Sequence, residues 1–160
     1  MLAESITELQ EEMEKNHVVF HTDSLPVVEA VPELMLQVFY NLISNAIKFK
    51  QKNQAPVIQI SSRQMKAGES KFGDKYVKGN RYYGIRISDN GIGFDEQYAE
   101  DIFMVFKRLH SVHEFDGTGI GLSICKKIID KHNGFITASA KPKEGATFLI
   151  ELPEKQLHTS

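Results

Sequence analysis

The chain has 160 residues, 41% of them hydrophobic, enough for one domain with a packed core and too apolar for a disordered chain. A formal net charge of −2 offers no basic surface for nucleic acid or an anionic membrane. The single cysteine, Cys125, excludes an intrachain disulfide and, within an apolar helical run, reads as buried filler. No apolar run approaches membrane-spanning length, and the start carries no signal-peptide pattern.

Residues 2–15 predict a helix. Leu2, Ile6, Leu9 and Met13 are spaced four, three and four apart, a narrow a/d-type seam. A helix this short is marginal alone. It either packs on its own domain or is the tail of a longer dimerising helix. Residues 17–22 predict a strand, and 26–31 a short second strand or an extended entry to the next helix, whose first turn suits Pro32. His17 and His21 fall in that first strand, with a core role as the plain alternative.

Residues 33–51 predict the strongest helix, with Met35, Val38, Phe39, Leu42, Ile43, Ala46 and Ile47 on one broad apolar face. Asn41, Asn45 and Lys48, at i, i+4 and i+7, form a stripe along its edge. Asparagine mid-helix costs about half a kcal/mol relative to good helix formers, so a stripe needing only solubility favours Glu or Gln. Its neutral carbonyl oxygen suits a hard cation such as Mg²⁺. Lys48 adds a point charge for a phosphate. A solvated helix edge is the plain alternative.

Residues 56–63 and 82–88 alternate as neighbouring strands. Residues 64–81 between them, with Gly68, Gly73, Gly79 and several lysines, predict a long solvated hairpin loop without chemistry. Asp89 ends the second strand, and Gly91 and Gly93 follow where the backbone must turn or pass close to a flat ligand. A carboxylate there can accept a hydrogen bond from an exocyclic amine such as that of adenine.

Residues 96–106 predict a short helix carrying Ile102, Phe103 and Phe106. The aperiodic stretch 109–116 predicts a lid, with Arg108 either reaching a terminal phosphate or lying on the surface as an ordinary arginine. Gly117, Gly119 and Gly121 open a helix over 120–132, where free N–H groups attract phosphate. Asn133-Gly134 ends it. Strands at 135–140 and 146–152 flank a hairpin at 141–145, Pro153 closes the fold, and 155–160 predict a disordered tail. Taken singly, each glycine run also reads as an ordinary turn. There is no GxxxxGK[ST], and G-x-G-x-G is not the G-x-G-x-x-G of a dinucleotide site, so neither of those phosphate motifs applies.

Together these residues resemble the catalytic, ATP-binding domain of two-component sensor histidine kinases, within the wider group of gyrase and the mismatch-repair ATPases. NLISNAIKF looks like the N box, DNGIGF the first glycine box, IFMVFKRL the F box and GTGIGLSI the second glycine box, in the expected order over residues 17–153. FKRLH followed by GTGIGLSICKKI looks like the phytochrome-type branch. The resemblance implies a two-layer α/β sandwich of the Bergerat type, a mixed sheet packed on three helices, with catalytic domain at 16–154 and the tail of a dimerisation helix at 1–15.

The resemblance also implies roles. Asp89 would bind the adenine amino group, with Gly91 and Gly93 lining the base. Asn45 would coordinate Mg²⁺, with Asn41 and Lys48 near the phosphates. Phe103 and Phe106 would anchor the lid, with Arg108 near the γ-phosphate. Gly117, Thr118, Gly119, Gly121 and Leu122 would hold the phosphates and the lid hinge. Thr147 in EGATF matches the family threonine behind the adenine, although Glu144-Gly145-Ala146 departs from the usual Gly-x-Gly. Hydrolytic relatives carry a Glu where this chain has Asn41, which cannot act as a general base at neutral pH. The expected activity is therefore phosphoryl transfer from Mg²⁺-ATP to a histidine on a dimerisation hairpin outside this chain, and onward to a response regulator. His113-Glu114 resembles the acceptor dipeptide but lies in the lid and is set aside. A cytoplasmic location, a homodimeric parent, and no nucleic-acid or membrane contact from this segment complete the expectation. The alternatives are a self-contained ATPase and a non-catalytic nucleotide- or partner-binding module.

Overall fold

The computed structural model describes residues 2–104 and 121–156. Its elements are α1 (Leu2–Lys15), β1 (Val19–Thr22), α2 (Pro32–Lys48), β2 (Val57–Met65), β3 (Tyr82–Asp89), α3 (Gly121–Lys131), β4 (Phe135–Lys141) and β5 (Gly145–Pro153). The strands form one five-stranded sheet in the order β1-β2-β3-β5-β4. Only β1 and β2 are parallel, joined by α2 as the crossover, and the other pairs are antiparallel. This is the expected mixed sheet layered on three helices.

Alternation builds the interface between the layers. Ile58 and Ile60 of β2, Ile85 and Ile87 of β3, and Phe148, Ile150 and Leu152 of β5 face the helices. Val38, Leu42 and Ile43 of α2 and Ile129 of α3 meet them, each no more than 1% exposed. Leu9 is 2% exposed and joins the same core, so α1 lies against its own domain.

His132 ties the ends of the helical layer together. Its Nε2 accepts from the Val31 N–H at 3.0 Å. Its Nδ1 therefore carries the proton and donates to the Ile128 carbonyl at 2.7 Å. The entry to α2 is thus fixed to the last turn of α3.

Several expectations are corrected. Residues 26–31 make no strand and run as the extended entry, where the Glu29 N–H bonds the Glu154 carbonyl at 2.9 Å. Helix α2 stops at Lys48, short of residue 51. Residues 96–104 form two 3-10 turns, Glu96–Tyr98 and Asp101–Phe103, rather than an α-helix. The Asp95 side chain caps the first turn, and Glu96 spends its carboxylate on the Ala140 N–H of β4 at 2.7 Å. His17 and His21 are both exposed, so neither has a core role.

Residues 66–81 are exposed over most of their length, as expected of a solvated loop, but they hold two short 3-10 turns and are not featureless. They fold back over the face of the sheet that points away from the helices. Phe72 stacks on Phe135 and Tyr76 on Tyr82, with ring centroids 4.5 and 3.8 Å apart. The Tyr76 hydroxyl donates to Glu151, which is 2% exposed. Of the expected disordered tail, residues 155 and 156 are anchored: Lys155 N–H bonds Asn80 at 3.1 Å and Gln156 Nε2 bonds the His132 carbonyl at 2.8 Å.

Candidate functional site

Asp89 follows Ile85 and Ile87 on the helix-facing side of β3, at the point where the strand ends. Two backbone donors converge on its Oδ1, Gly91 N–H at 2.8 Å and Ala146 N–H at 3.2 Å. Among the described residues Oδ2 receives no hydrogen bond, which leaves one carboxylate oxygen available as an acceptor. Burial pushes the Asp89 carboxyl above its ordinary pKa, and the two N–H groups oppose that shift.

The glycines after Asp89 are required by close backbone approach. A Cβ on Gly91 would lie 2.6 Å from the Phe49 carbonyl oxygen. Gly93 has φ +65°, and a Cβ there would lie 2.1 Å from the Lys141 carbonyl oxygen. The loop is in this way pressed between the end of α2 and the β4–β5 turn. Ile92 N–H bonds Phe49 O at 2.9 Å and Lys143 N–H bonds Ile92 O at 2.7 Å.

The stripe on α2 is half-buried at Asn41, Asn45 and Lys48. Asn41 Nδ2 lies 3.4 Å from the Gly121 carbonyl oxygen, which brings the first box against the start of α3. Leu122 is half-buried against the core. Asn45 makes no side-chain hydrogen bond among the described residues. The Lys48 ammonium lies 5.8 Å from the centre of the Phe49 ring. Cys125 is fully buried below this junction, and burial holds its thiol up at about pKa 12, so it is inert filler as expected.

Thr147 is not brought to Asp89. Ser88 and Asp89 point to opposite faces of the sheet, and the Thr147 hydroxyl bonds Ser88 Oγ at 3.1 Å on the far face. The neighbouring Ala146 takes the inner place, through its N–H. Phe103 packs edge-on against Phe148, with centroids 6.2 Å apart, and so is anchored in the core. Phe106, Arg108, Gly117, Thr118 and Gly119 lie outside the described residues, as does His113. A cavity of about 290 Å³ beside Phe72, Phe103 and Lys126 runs along β4, and neither Asp89 nor the α2 stripe lines it. Two contributors escaped the sequence reading. Asn90 holds the start of β2 through Val57 N–H at 2.7 Å and Ala55 O at 3.2 Å, and Gln51 faces the glycine loop. Both sit in polar runs with no periodicity to flag them.

The site therefore has a half-buried hydrogen-bond acceptor, whose following loop packs on the end of α2, and a half-buried edge of that helix bearing amides and an ammonium. Residues 30–156 match the family described as histidine kinase-, DNA gyrase B-, and HSP90-like ATPase. The chain belongs to that family. Among curated relatives, cyanobacterial phytochrome A of Nostoc sp. is 41% identical over 131 residues, covering 82% of this chain and 15% of the phytochrome. The phytochrome-like protein Cph1 of Synechocystis sp. is 38% identical over 149 residues, covering 93% of this chain and 18% of that protein. The chain thus spans less than a fifth of either. The nucleotide-free catalytic domain of histidine kinase ThkA superposes with a TM-score of 0.72 at 29% identity, covering 96% of this chain and 90% of that one. The ATPase-family domain seen here is accordingly of the sensor histidine kinase type. Among its described residues no helix is long and apolar enough to cross a membrane.

Proposed function

We propose that this domain binds Mg²⁺-ATP and passes the γ-phosphoryl group to a histidine on a dimerisation hairpin outside the chain, for relay to a response regulator in the cytoplasm. The observation that carries the nucleotide reading is Asp89, whose Oδ1 is saturated by two backbone N–H groups while Oδ2 remains open among the described residues. An amine donor is its natural complement, and the adenine N6 amine supplies one.

Asn45 fits a Mg²⁺ ligand. Its half-buried amide is uncommitted among the described residues, and a neutral carbonyl oxygen suits Mg²⁺ shared with phosphate oxygens. The ion, when bound, neutralises charge on the phosphate oxygens. Lys48 adds cationic charge on the same stripe, and Asn41 secures that stripe to the start of α3. In the transfer, the bond between the γ-phosphorus and the bridging oxygen of ADP breaks. A bond forms to the unprotonated nitrogen of the acceptor imidazole, and the proton on the ring's other nitrogen then leaves to solvent. The protein supplies position and charge, and the acceptor supplies the nucleophile. Asn41 cannot take a proton from water, which argues for transfer over hydrolysis. The ThkA kinase, 28% identical with a TM-score of 0.67, has been solved in complex with the response regulator TrrA, which supports a regulator as the onward partner here.

The test is turnover of Mg²⁺-ATP with and without a separately supplied acceptor hairpin of the parent protein. Phosphate on the hairpin histidine with little free phosphate is expected. Rapid phosphate release without acceptor would replace this reading with an ATPase.

A further inference from the structure

The segment joining α2 to β2 passes beside the glycine loop, and Gln51 turns its side chain into it. Gln51 Nε2 lies 3.0 Å from Asn90 O, 3.0 Å from Gly91 O and 2.7 Å from Lys143 O. An amide NH₂ has two protons, so one is shared between two of these three acceptors. The first two carbonyls belong to the loop that follows Asp89. The third belongs to the β4–β5 turn, which also delivers the Ala146 N–H to Asp89. Gln51 itself follows Lys48, the last residue of the helix bearing Asn41 and Asn45.

A single neutral donor, three residues past the helix that carries the amide stripe, therefore bonds both the loop that follows Asp89 and the turn that leads to Ala146. Glutamine suits this place chemically. A glutamate would set negative charge against three carbonyl dipoles, and an apolar residue would leave them without a donor. The neighbouring bonds, Ile92 N–H to Phe49 O and Asn90 to Val57 N–H and Ala55 O, tie the loop elsewhere and do not reach these three oxygens.

We propose that Gln51 is a positioning residue for base recognition: it sets where Asp89 stands relative to the α2 stripe, and so contributes to preference for adenine over guanine. The proposal rests on the reading of Asp89 as the acceptor of the adenine amine. Guanine presents a carbonyl where adenine presents that amine, so GTP binding draws little from Asp89.

The experiment compares ATP and GTP dissociation constants, by competition with a fluorescent nucleotide, for the wild-type domain, Gln51→Leu and Asp89→Asn, with thermal melts of each. For Gln51→Leu, ATP affinity is expected to fall about tenfold while GTP affinity changes less than about twofold, so the ratio collapses. A purely structural role lowers the melting temperature without moving that ratio in the folded fraction. Equal losses for both nucleotides, or no loss for ATP, would overturn the proposal. Should Gln51→Leu fail to fold, Gln51→Asn, which keeps the donors but falls short of the carbonyls, is read by the same ratio. If Asp89→Asn leaves the ratio unchanged, the Asp89 reading itself fails. If it moves the ratio and the Gln51 variants do not, only the positioning role fails.

Discussion

Replacing Asp89 by asparagine is expected to weaken ATP binding while leaving the nucleotide-free domain at least as stable. The amide oxygen of the variant can keep both bonds now made to Oδ1, from Gly91 N–H at 2.8 Å and Ala146 N–H at 3.2 Å, so the loop retains its shape. The amide nitrogen then replaces Oδ2 and faces the adenine amine donor to donor. Losing a hydrogen bond to a charged acceptor costs about 1.5–3 kcal/mol, or about 10- to 150-fold in Kd. Stability moves the other way. Burial raises the folded pKa of Asp89 above its ordinary 3.8, so this group's contribution to stability is fully present below that value and lost as pH rises through the folded pKa. At neutral pH the ionised carboxylate opposes folding, and the variant is relieved of it. Nucleotide titration and thermal melts between about pH 4 and about pH 8 read both effects, and the variant should lack the wild-type slope over that range. ATP affinity equal to wild type would refute the assignment. A loss of affinity accompanied by a clear drop in melting temperature would refute the account of why it is lost.

Asn45→Ala should weaken ATP binding about tenfold with Mg²⁺ present and leave it unchanged in a chelator, by titration under both conditions. Gly93→Ala puts a side chain at φ +65° with its Cβ 2.1 Å from Lys141 O, so urea unfolding should show a loss of more than about 2 kcal/mol. Tyr76→Phe strips the donor from buried Glu151 and should cost about 1.5–3 kcal/mol, nearer the lower figure because Tyr76 is half-buried. Burial, and then Glu151, raise the Tyr76 pKa above its ordinary 10.0, so the wild type loses stability as pH rises past that value. Urea titrations at alkaline pH should find that slope absent in the phenylalanine variant.

What the sequence disclosed and what it withheld follow from how far each interaction reaches along the chain. Helix α2 was readable because seven apolar residues repeat at the helical period, and all seven are buried. Asp89 and its glycines were readable because a strand must end before a tight turn can begin. The cover over the outer sheet face was not readable. Phe72 and Tyr76 stand alone among lysines and glycines, and Tyr76 meets a partner, Glu151, 75 residues away. Gln51 was hidden for the same reason, since one of its acceptors, Lys143, lies 92 residues on. Thr147 misled because its hydroxyl matched a motif, whereas strand parity sends it to the other face. The helix expected at 96–106 had the apolar residues but too few hydrogen bonds to offset nucleation, and Asp95 caps a 3-10 turn there while Glu96 bonds the Ala140 N–H of β4.

The strand order has a consequence for how the pocket comes into being. β5 is the last in chain order of the five described strands, yet it inserts between β3 and β4. Until it docks, β3 has one unpaired edge, and Asp89 lacks the N–H of Ala146. A ribosome-bound chain that has reached β4 thus holds every residue of the first two boxes and still has an unfinished acceptor. On the reading of Asp89 as the adenine acceptor, a nascent chain labelled by ATP would be one in which β5 has already been threaded between β3 and β4.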